Sequence, residues 1–152
     1  MRPHPSARIV MMAGVADVRA TGACLCGGVR YAVRGPLRDV VLCHCSRCRR
    51  THGHVAAYAA CACDDLELVV SRELRWFEAD DRRRGFCAGC GASLFWTATG
   101  GDTVSIAAGT LDPPTRLKTG AQIHVDDAGD YYRVAAEGER FAGGLGSTKL
   151  AP

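Results

Sequence analysis

The sequence lacks long apolar segments and any strong compositional bias. No run of 18 apolar residues occurs in it, which excludes a helix that crosses a bilayer. Apolar residues make up 47% and charged residues 23% of the chain, so the composition is not that of a disordered protein. The 152 residues amount to one domain with a substantial core. We therefore expect a single globular domain with no membrane partner.

Cysteine, in contrast, is abundant, and its spacing favours metal binding over disulfides. The chain has nine cysteines, so complete disulfide pairing would leave one thiol over. They form three Cys-x-Cys pairs and two Cys-x-x-Cys knuckles, namely Cys24/Cys26, Cys43/Cys45, Cys61/Cys63, Cys45/Cys48 and Cys87/Cys90. The knuckle is a common local spacing of zinc ligands. Clustered thiolates suit a reducing compartment, so we expect the protein in the cytoplasm.

The cysteines fall into two unequal candidate ligand sets. The four-cysteine set combines two pairs that lie about sixty residues apart, Cys24, Cys26, Cys87 and Cys90. Four thiolates complete a tetrahedral zinc, which makes this a structural site. The three-cysteine set, Cys43, Cys45 and Cys48, leaves a fourth position open, as in a catalytic zinc site. The spacing thus predicts two zinc ions, one structural and one catalytic.

The number and spacing of the cysteines do not by themselves determine which pairs bind the same zinc ion. Cys61 and Cys63 form a further pair and could replace one of the others. In the simpler interpretation they are small apolar residues that continue a strand from Val55. His44 and His52 lie beside the three-cysteine set and are candidates for a fourth ligand or a proton shuttle. A role near the ligands or simple exposure in the turn is the more common situation for such histidines.

The basic charge is weaker than it looks. Only 2 of the 19 basic residues are lysine, and the formal net charge is +3. Seven thiolates and two zinc ions would add seven negative and four positive charges, which brings the sum to zero. No basic excess of the size that nucleic-acid binding needs would remain. We therefore do not expect a nucleic-acid partner.

Short alternating apolar runs predict a mainly-β domain. Strands are predicted at 29–33, 40–42, 55–63, 66–70, 74–76, 93–99, 103–108, 123–125 and 131–135. Turns are predicted at 44–53, where one helical turn is the alternative, and at 80–84 and 100–102. We interpret residues 1–19 and 142–152 as flexible tails and residues 20–141 as one zinc domain.

Four segments, in this order, carry a family resemblance: 22–31 (GACLCGGVRY), 43–53 (CHCSRCRRTHG), 84–94 (RGFCAGCGASL) and 108–113 (AGTLDP). They resemble the G-x-C-x-C-G-x-V-x-Y, C-H-C-x-x-C-R-x-x-x-G, R-x-F-C-x-x-C-G and A-G-x-L-D segments of the glutathione-dependent formaldehyde-activating (GFA) family, which includes the centromere protein V domain. A later family segment reads H-I-(F/W)-V and is followed by tryptophan. Here Gln122 and His124 replace its histidine and aromatic residue, and Tyr131 or Tyr132 stands at the tryptophan.

The resemblance implies a tent-like or sandwich-like fold of antiparallel sheets held by zinc. It also implies that the four-cysteine set holds the structural zinc and the three-cysteine set the catalytic zinc, which leaves Cys61 and Cys63 as strand residues. The activity for which the family is named is formation of S-(hydroxymethyl)glutathione, a carbon–sulfur lyase reaction when read backwards.

We therefore predict a zinc-dependent enzyme of the carbon–sulfur lyase type. Its substrates would be a low-molecular thiol, such as glutathione or mycothiol, and formaldehyde or a related small electrophile. A zinc ion at the three-cysteine set would deprotonate a coordinating thiol. Arg47, Arg49 and Arg50 flank that set and could pair with the carboxylates of a peptide-like thiol.

The alternative prediction is a non-enzymatic zinc module that binds protein, nucleic acid or a thiol metabolite. A fourth position occupied by His44 or Cys61 would favour this module, because it would close the three-cysteine set to substrate.

Overall fold

The computed structural model describes residues 17–151, so residues 1–16 of the predicted N-terminal tail lie outside the described residues. Within that range the chain forms one α-helix, α1 (Ser46–His52), and the strands β1 (Ala20–Ala23), β2 (Arg30–Val33), β3 (Arg38–Cys43), β4 (Ala56–Ala62), β5 (Leu66–Val70), β6 (Leu74–Ala79), β7 (Arg82–Cys87), β8 (Ser93–Ala98), β9 (Thr103–Ala107), β10 (Thr119–Ile123) and β11 (Glu139–Arg140). Within residues 17–151, no helix has the length and apolar character needed to span a membrane.

The strands form two sheets. The small sheet has the order β1-β2-β5, and the large sheet has the order β11-β10-β3-β4-β9-β8-β7-β6. Neighbouring strands are antiparallel, except that β10 runs parallel to both β3 and β11. The predicted mainly-β fold of antiparallel sheets is confirmed, and the parallel position of β10 is added to it.

The main core joins one face of the large sheet to the small sheet. Tyr31 and Val33 from β2 are buried in the same cluster as Phe95 from β8 and Ile106 from β9. The rings of Tyr31 and Phe95 meet edge to face, with their centroids 5.2 Å apart. Because successive side chains of a strand point to opposite faces, this packing directs Trp96 to the other face of the large sheet.

That other face carries α1 and a second, smaller core. Cys48 of α1 is buried there against Cys43, Ala56 and Tyr58, and Trp96 packs against the same cluster. The register of the sheet places Arg84 opposite Trp96. The large sheet therefore has the main core on one face and the helix α1, with Cys48, on the other. The second face is the one where a functional site can form.

Some element predictions were wrong at their ends. The predicted turn at 80–84 is a two-residue connection, because β6 ends at Ala79 and β7 begins at Arg82. The strand predicted at 123–125 lies earlier, at 119–123, and the one predicted at 131–135 is absent from the described chain. The polar segment 44–53 contains α1, which is longer than the single turn that was the alternative.

The chain after β11 is tied to the large sheet by backbone hydrogen bonds. Leu150 donates to the carbonyl of Arg140 at 2.8 Å, and Ala142 donates to that of Thr148 at 3.0 Å. The backbone of Gly143 accepts from the N–H of His124 at 2.8 Å. These contacts bring the segment 142–151 beside the end of β10.

Candidate metal centres

The structure brings the four-cysteine set together where the two sheets meet. Cys24 and Cys26 lie between β1 and β2, Cys87 ends β7, and Cys90 lies before β8. Their four sulfur atoms all lie within 4.8 Å of one another. The Sγ atom of Cys26 is 3.6 Å from Sγ of Cys24 and 3.6 Å from Sγ of Cys87. Sulfur ligands of a tetrahedral zinc are about 3.8 Å apart, so the four-cysteine set fits a zinc ion.

Backbone N–H groups point at these sulfurs, as a thiolate site requires. Val29 N–H donates to Sγ of Cys24 over 3.2 Å. Backbone N–H groups of Ala92 and Cys26 lower the pKa of Cys90 to about 6. All four cysteines are free thiols. The donor set therefore has the chemistry of a metal site and shows no disulfide.

The three-cysteine set comes together at the start of α1. Cys43 ends β3, and Cys45 caps the helix, where its sulfur accepts a hydrogen bond from the N–H of Cys48 at 3.4 Å. The three sulfurs lie within 4.8 Å of one another. Cys43 and Cys48 are 8% and 7% exposed, whereas Cys45 is half-buried. The helix ends at His52 and is followed by Gly53, whose φ of 76° is a left-handed conformation that glycine adopts freely.

Proton affinities within this set are unequal. A hydrogen bond from the Cys43 thiol lowers the pKa of Cys48 to about 6, and Cys45 and the Arg84 guanidinium act in the same direction. The same hydrogen bond raises the pKa of Cys43. Cys48 therefore becomes a thiolate more readily than Cys43.

Neither histidine joins the three-cysteine set. Both ring nitrogens of His44 are engaged elsewhere: Nδ1 is 2.8 Å from the hydroxyl of Tyr132 and Nε2 is 3.0 Å from Oε1 of Gln122. His52 Nε2 is 2.8 Å from the hydroxyl of Tyr58. Among the described residues, the groups able to hold a metal include neither histidine.

Cys61 and Cys63 also lie apart from both sets. Cys61 is buried in the core between the sheets, where burial raises its pKa to about 11. Cys63 is exposed, and its thiol donates to the carbonyl of Gly101 at 3.7 Å. The groups able to hold a metal in residues 17–151 contain neither cysteine.

A cavity of about 540 Å³ opens over the three-cysteine set, and all three cysteines line it. Four arginines surround it, Arg38, Arg47, Arg82 and Arg84. One acidic side chain, Asp127, lines it as well. Tyr58 and Trp96 form part of its wall on the sheet. This arrangement can receive an anionic molecule and bring it against the sulfurs.

Of the three predicted arginines, the structure brings one to the cavity. Arg47 lines it. Arg49 Nε instead donates to the backbone carbonyl of His44 at 3.2 Å. Neither Arg49 nor Arg50, which lie in the described part of the chain, lines the cavity. The arginines lie differently because neighbouring residues of a helix turn face different ways.

Three of the lining arginines, Arg38, Arg82 and Arg84, are not among the predicted site residues. Arg82 and Arg84 share one face of β7 because they are two residues apart on a strand. Their signal was available in the run at 82–84 and in the R-x-F-C segment, but the run was interpreted as a turn. Arg38 at the start of β3 carries no local signal that could have found it.

A second cavity of about 560 Å³ adjoins the first. The two cavities share Arg47, Tyr58, Arg82 and Arg84. Beyond these residues, the second cavity is lined by apolar side chains that include those of Phe77, Phe86 and Phe95, and by the polar side chains of Thr51, Asp80 and Ser93.

Fold and site define a mainly-β domain with two cysteine clusters able to hold zinc, one of which opens on an arginine-lined cavity. The model of the glutathione-dependent formaldehyde-activating enzyme family matches residues 19–127. The chain belongs to this family, and the resemblance drawn from the four segments is confirmed.

A crystal structure of a Rhodobacter sphaeroides protein is similar to this chain, with a TM-score of 0.53 and 25% sequence identity. The similarity covers 61% of this chain and 88% of the other. A comparison with curated proteins gives no significant match.

Proposed function

We propose that the protein is a zinc-dependent enzyme of the carbon–sulfur lyase type that joins a low-molecular thiol to formaldehyde or a related small electrophile. Its reaction would resemble formation of S-(hydroxymethyl)glutathione. The observation that carries this proposal is the cavity lined by Cys43, Cys45 and Cys48. Three sulfurs leave room for one more ligand, and the cavity gives that ligand access. Family membership supports the same activity.

We further propose two zinc ions. The four-cysteine set would hold a structural ion, since four sulfurs complete its coordination. The three-cysteine set would hold the catalytic ion. Zinc bound there supplies Lewis acidity, which favours the thiolate form of a bound thiol and polarises a carbonyl oxygen.

The chain's own residues bind and orient the substrates. Arg38, Arg47, Arg82 and Arg84 attract a negatively charged thiol, and the cavity walls exclude part of the solvent. In the reaction the S–H bond and the π bond of the aldehyde break, while an S–C bond and an O–H bond form. The thiol proton ends on the former carbonyl oxygen, so no oxidant or reductant is needed. Free clustered thiols suit a reducing compartment, and we propose the cytoplasm as the site of action.

The test compares wild-type protein with Cys45→Ser, purified without chelator. Zinc analysis is expected to give about two ions per wild-type chain and about one per mutant chain. The mutant stays folded because the four-cysteine set is intact. Exchange NMR on a mixture of formaldehyde and glutathione or mycothiol should show acceleration above background with wild type, and none with the mutant.

Cys63→Ser is the matched control, because Cys63 lies outside both sets and should leave zinc content and rate unchanged. Two tightly held zinc ions in wild type, with no acceleration for either thiol, would contradict the proposal and favour a non-enzymatic zinc module.

A further inference from the structure

Arg84 stands at the boundary between the two cavities and has an unsatisfied donor. It lines both cavities. Its guanidinium faces the thiol of Cys48 and the hydroxyl of Tyr58. Its Nη1 atom, however, is buried and has no hydrogen-bond partner among the described residues. A buried charged donor without a partner is costly, so an acceptor from outside the chain would relieve that cost.

The strand register holds Arg84 in this position. It lies opposite Phe77 on β6 and opposite Trp96 on β8. Arg82, two residues earlier, is on the same face of β7. The side chain of Arg84 is thus flanked by two aromatic residues and by a second cation on one face of the sheet.

Arg47 approaches the same place from α1. It lines both cavities, as Arg82 and Arg84 do. Its nearest acidic partner is Asp80 at 3.7 Å, and both side chains of that pair are mostly exposed. Such an exposed ion pair is weak, so a ligand can readily replace Asp80 as the partner of Arg47. Three guanidinium groups therefore converge on the shared wall of the cavities, within reach of a molecule whose sulfur is at the three-cysteine set.

We propose that Arg84 is the receptor for a carboxylate of the thiol substrate, with Arg47 and Arg82 extending this subsite. The planar guanidinium fork matches a carboxylate and forms charge-assisted hydrogen bonds to it. The subsite selects an acidic, peptide-like thiol over an uncharged sugar thiol such as mycothiol. This inference rests on the proposed function, since it assumes that a thiol enters the three-cysteine cavity, and it replaces Arg49 and Arg50 as carboxylate partners.

The test uses S-methylglutathione, which keeps both carboxylates but has no thiol to coordinate zinc. Its Kd is measured by calorimetry on the zinc-loaded wild-type protein, on Arg84→Gln and on Arg84→Lys. Arg84→Gln is expected to raise the Kd at least about tenfold, which corresponds to about 1.4 kcal/mol. Arg84→Lys should raise the Kd by a smaller factor, because lysine keeps the positive charge but lacks the planar guanidinium fork. The dimethyl ester of S-methylglutathione has no free carboxylate. It should bind wild type weakly, and its Kd for Arg84→Gln should be no higher than its Kd for wild type.

Arg83→Gln is the matched control. Arg83 is the next residue along the same strand, but its guanidinium lies 4.2 Å from the ring centroid of Trp76, on the face that carries the main core. Its loss should leave the Kd unchanged. Zinc content and circular dichroism verify that each variant is folded. If Arg84→Gln does not fold, the acid and its ester on wild type, together with Arg84→Lys, decide the question.

Equal affinity of wild type and folded Arg84→Gln for S-methylglutathione would overturn the inference, as would equal affinity of wild type for the acid and its ester. The probe does not react, so an Arg84-dependent Kd would stand even if no thiol–formaldehyde activity were found. Conversely, an active enzyme whose KM for glutathione is unchanged in Arg84→Gln would refute this subsite alone.

Discussion

His44 lies between two cysteines of the three-cysteine set, yet its ring is fixed by a separate network. The amide nitrogen of Gln122 donates to the backbone carbonyls of Ala135 and Glu137, each at 2.7 Å. Its Oε1 must therefore accept from Nε2–H of His44, and Nδ1 accepts from the Tyr132 hydroxyl. Burial also lowers the pKa of His44, which keeps the ring neutral.

This network predicts that Gln122→Leu is strongly destabilising. Gln122 is fully buried, and leucine would leave one ring N–H and two backbone carbonyls without partners. We expect the free energy of unfolding to fall by about 3 kcal/mol, measured by urea denaturation. Tyr132→Phe removes one hydrogen bond from the same ring and should cost about 1 kcal/mol. If Gln122→Leu were as stable as wild type, the amide would not be what holds His44.

The sequence could not reveal this role of His44. Its partners Gln122 and Tyr132 are 78 and 88 residues away along the chain. Gln122 stands where the family pattern has histidine, and Tyr132 is one of the two tyrosines that could stand at its tryptophan. Local spacing made His44 a candidate ligand, whereas tertiary contacts assign its two nitrogens elsewhere.

At the scale of elements, the secondary-structure predictions for β7 and for the segment 131–135 were wrong in opposite ways. The arginine run 82–84 was interpreted as a turn because of its charge. In the structure it is a strand, since Arg83 lies opposite Glu78 and packs over Trp76. Residues 131–135 have the composition of a strand but form none, because Tyr132 is engaged with His44 and Ala135 with Gln122. Side-chain partners decided both cases, and these cannot be read from composition.

Strand β1 was also missed, and it contains a glycine with a steric role. A Cβ atom at Gly22 would lie 2.5 Å from the carbonyl oxygen of Thr110 and would overlap the hydroxyl of Tyr31. That hydroxyl and the Thr110 hydroxyl are hydrogen-bonded at 2.7 Å. Glycine at this position therefore permits close approach of β1 to β2 and to the segment after β9.

Gly22→Ala should consequently lower the free energy of unfolding by about 1–3 kcal/mol, because β1 or the backbone at Thr110 must move. Gly109→Ala is the matched control in the adjoining segment, since a Cβ there meets no atom within 4 Å among the described residues. It should change stability by less than about 0.5 kcal/mol. Thermal and urea unfolding of both variants measures the difference, and equal effects would refute the steric explanation.

At the scale of the whole molecule, the four-cysteine set connects the two sheets. Cys24 and Cys26 lie beside the small sheet, and Cys87 and Cys90 belong to the β7–β8 region of the large sheet. The sequence predicted each local pair from its spacing and favoured this combination of the pairs, but Cys61 and Cys63 remained an alternative until the family resemblance was considered. The two cysteine pairs meet because β7 of the large sheet ends beside the turn between β1 and β2. This proximity is a property of the sheet topology.

A metal ion at this position would hold the two sheets together, which predicts that Cys26 matters for stability although it is exposed. Cys26→Ser should lower the free energy of unfolding by more than about 3 kcal/mol, because binding of a structural zinc is itself a large folding free energy. Cys63→Ser, at an exposed cysteine outside both sets, should have almost no effect. A strong chelator should bring the melting temperature of wild type down toward that of Cys26→Ser and change the mutant far less. Equal melting temperatures of Cys26→Ser and Cys63→Ser would contradict a structural metal at the four-cysteine set, because only one of these thiols lies among its sulfurs.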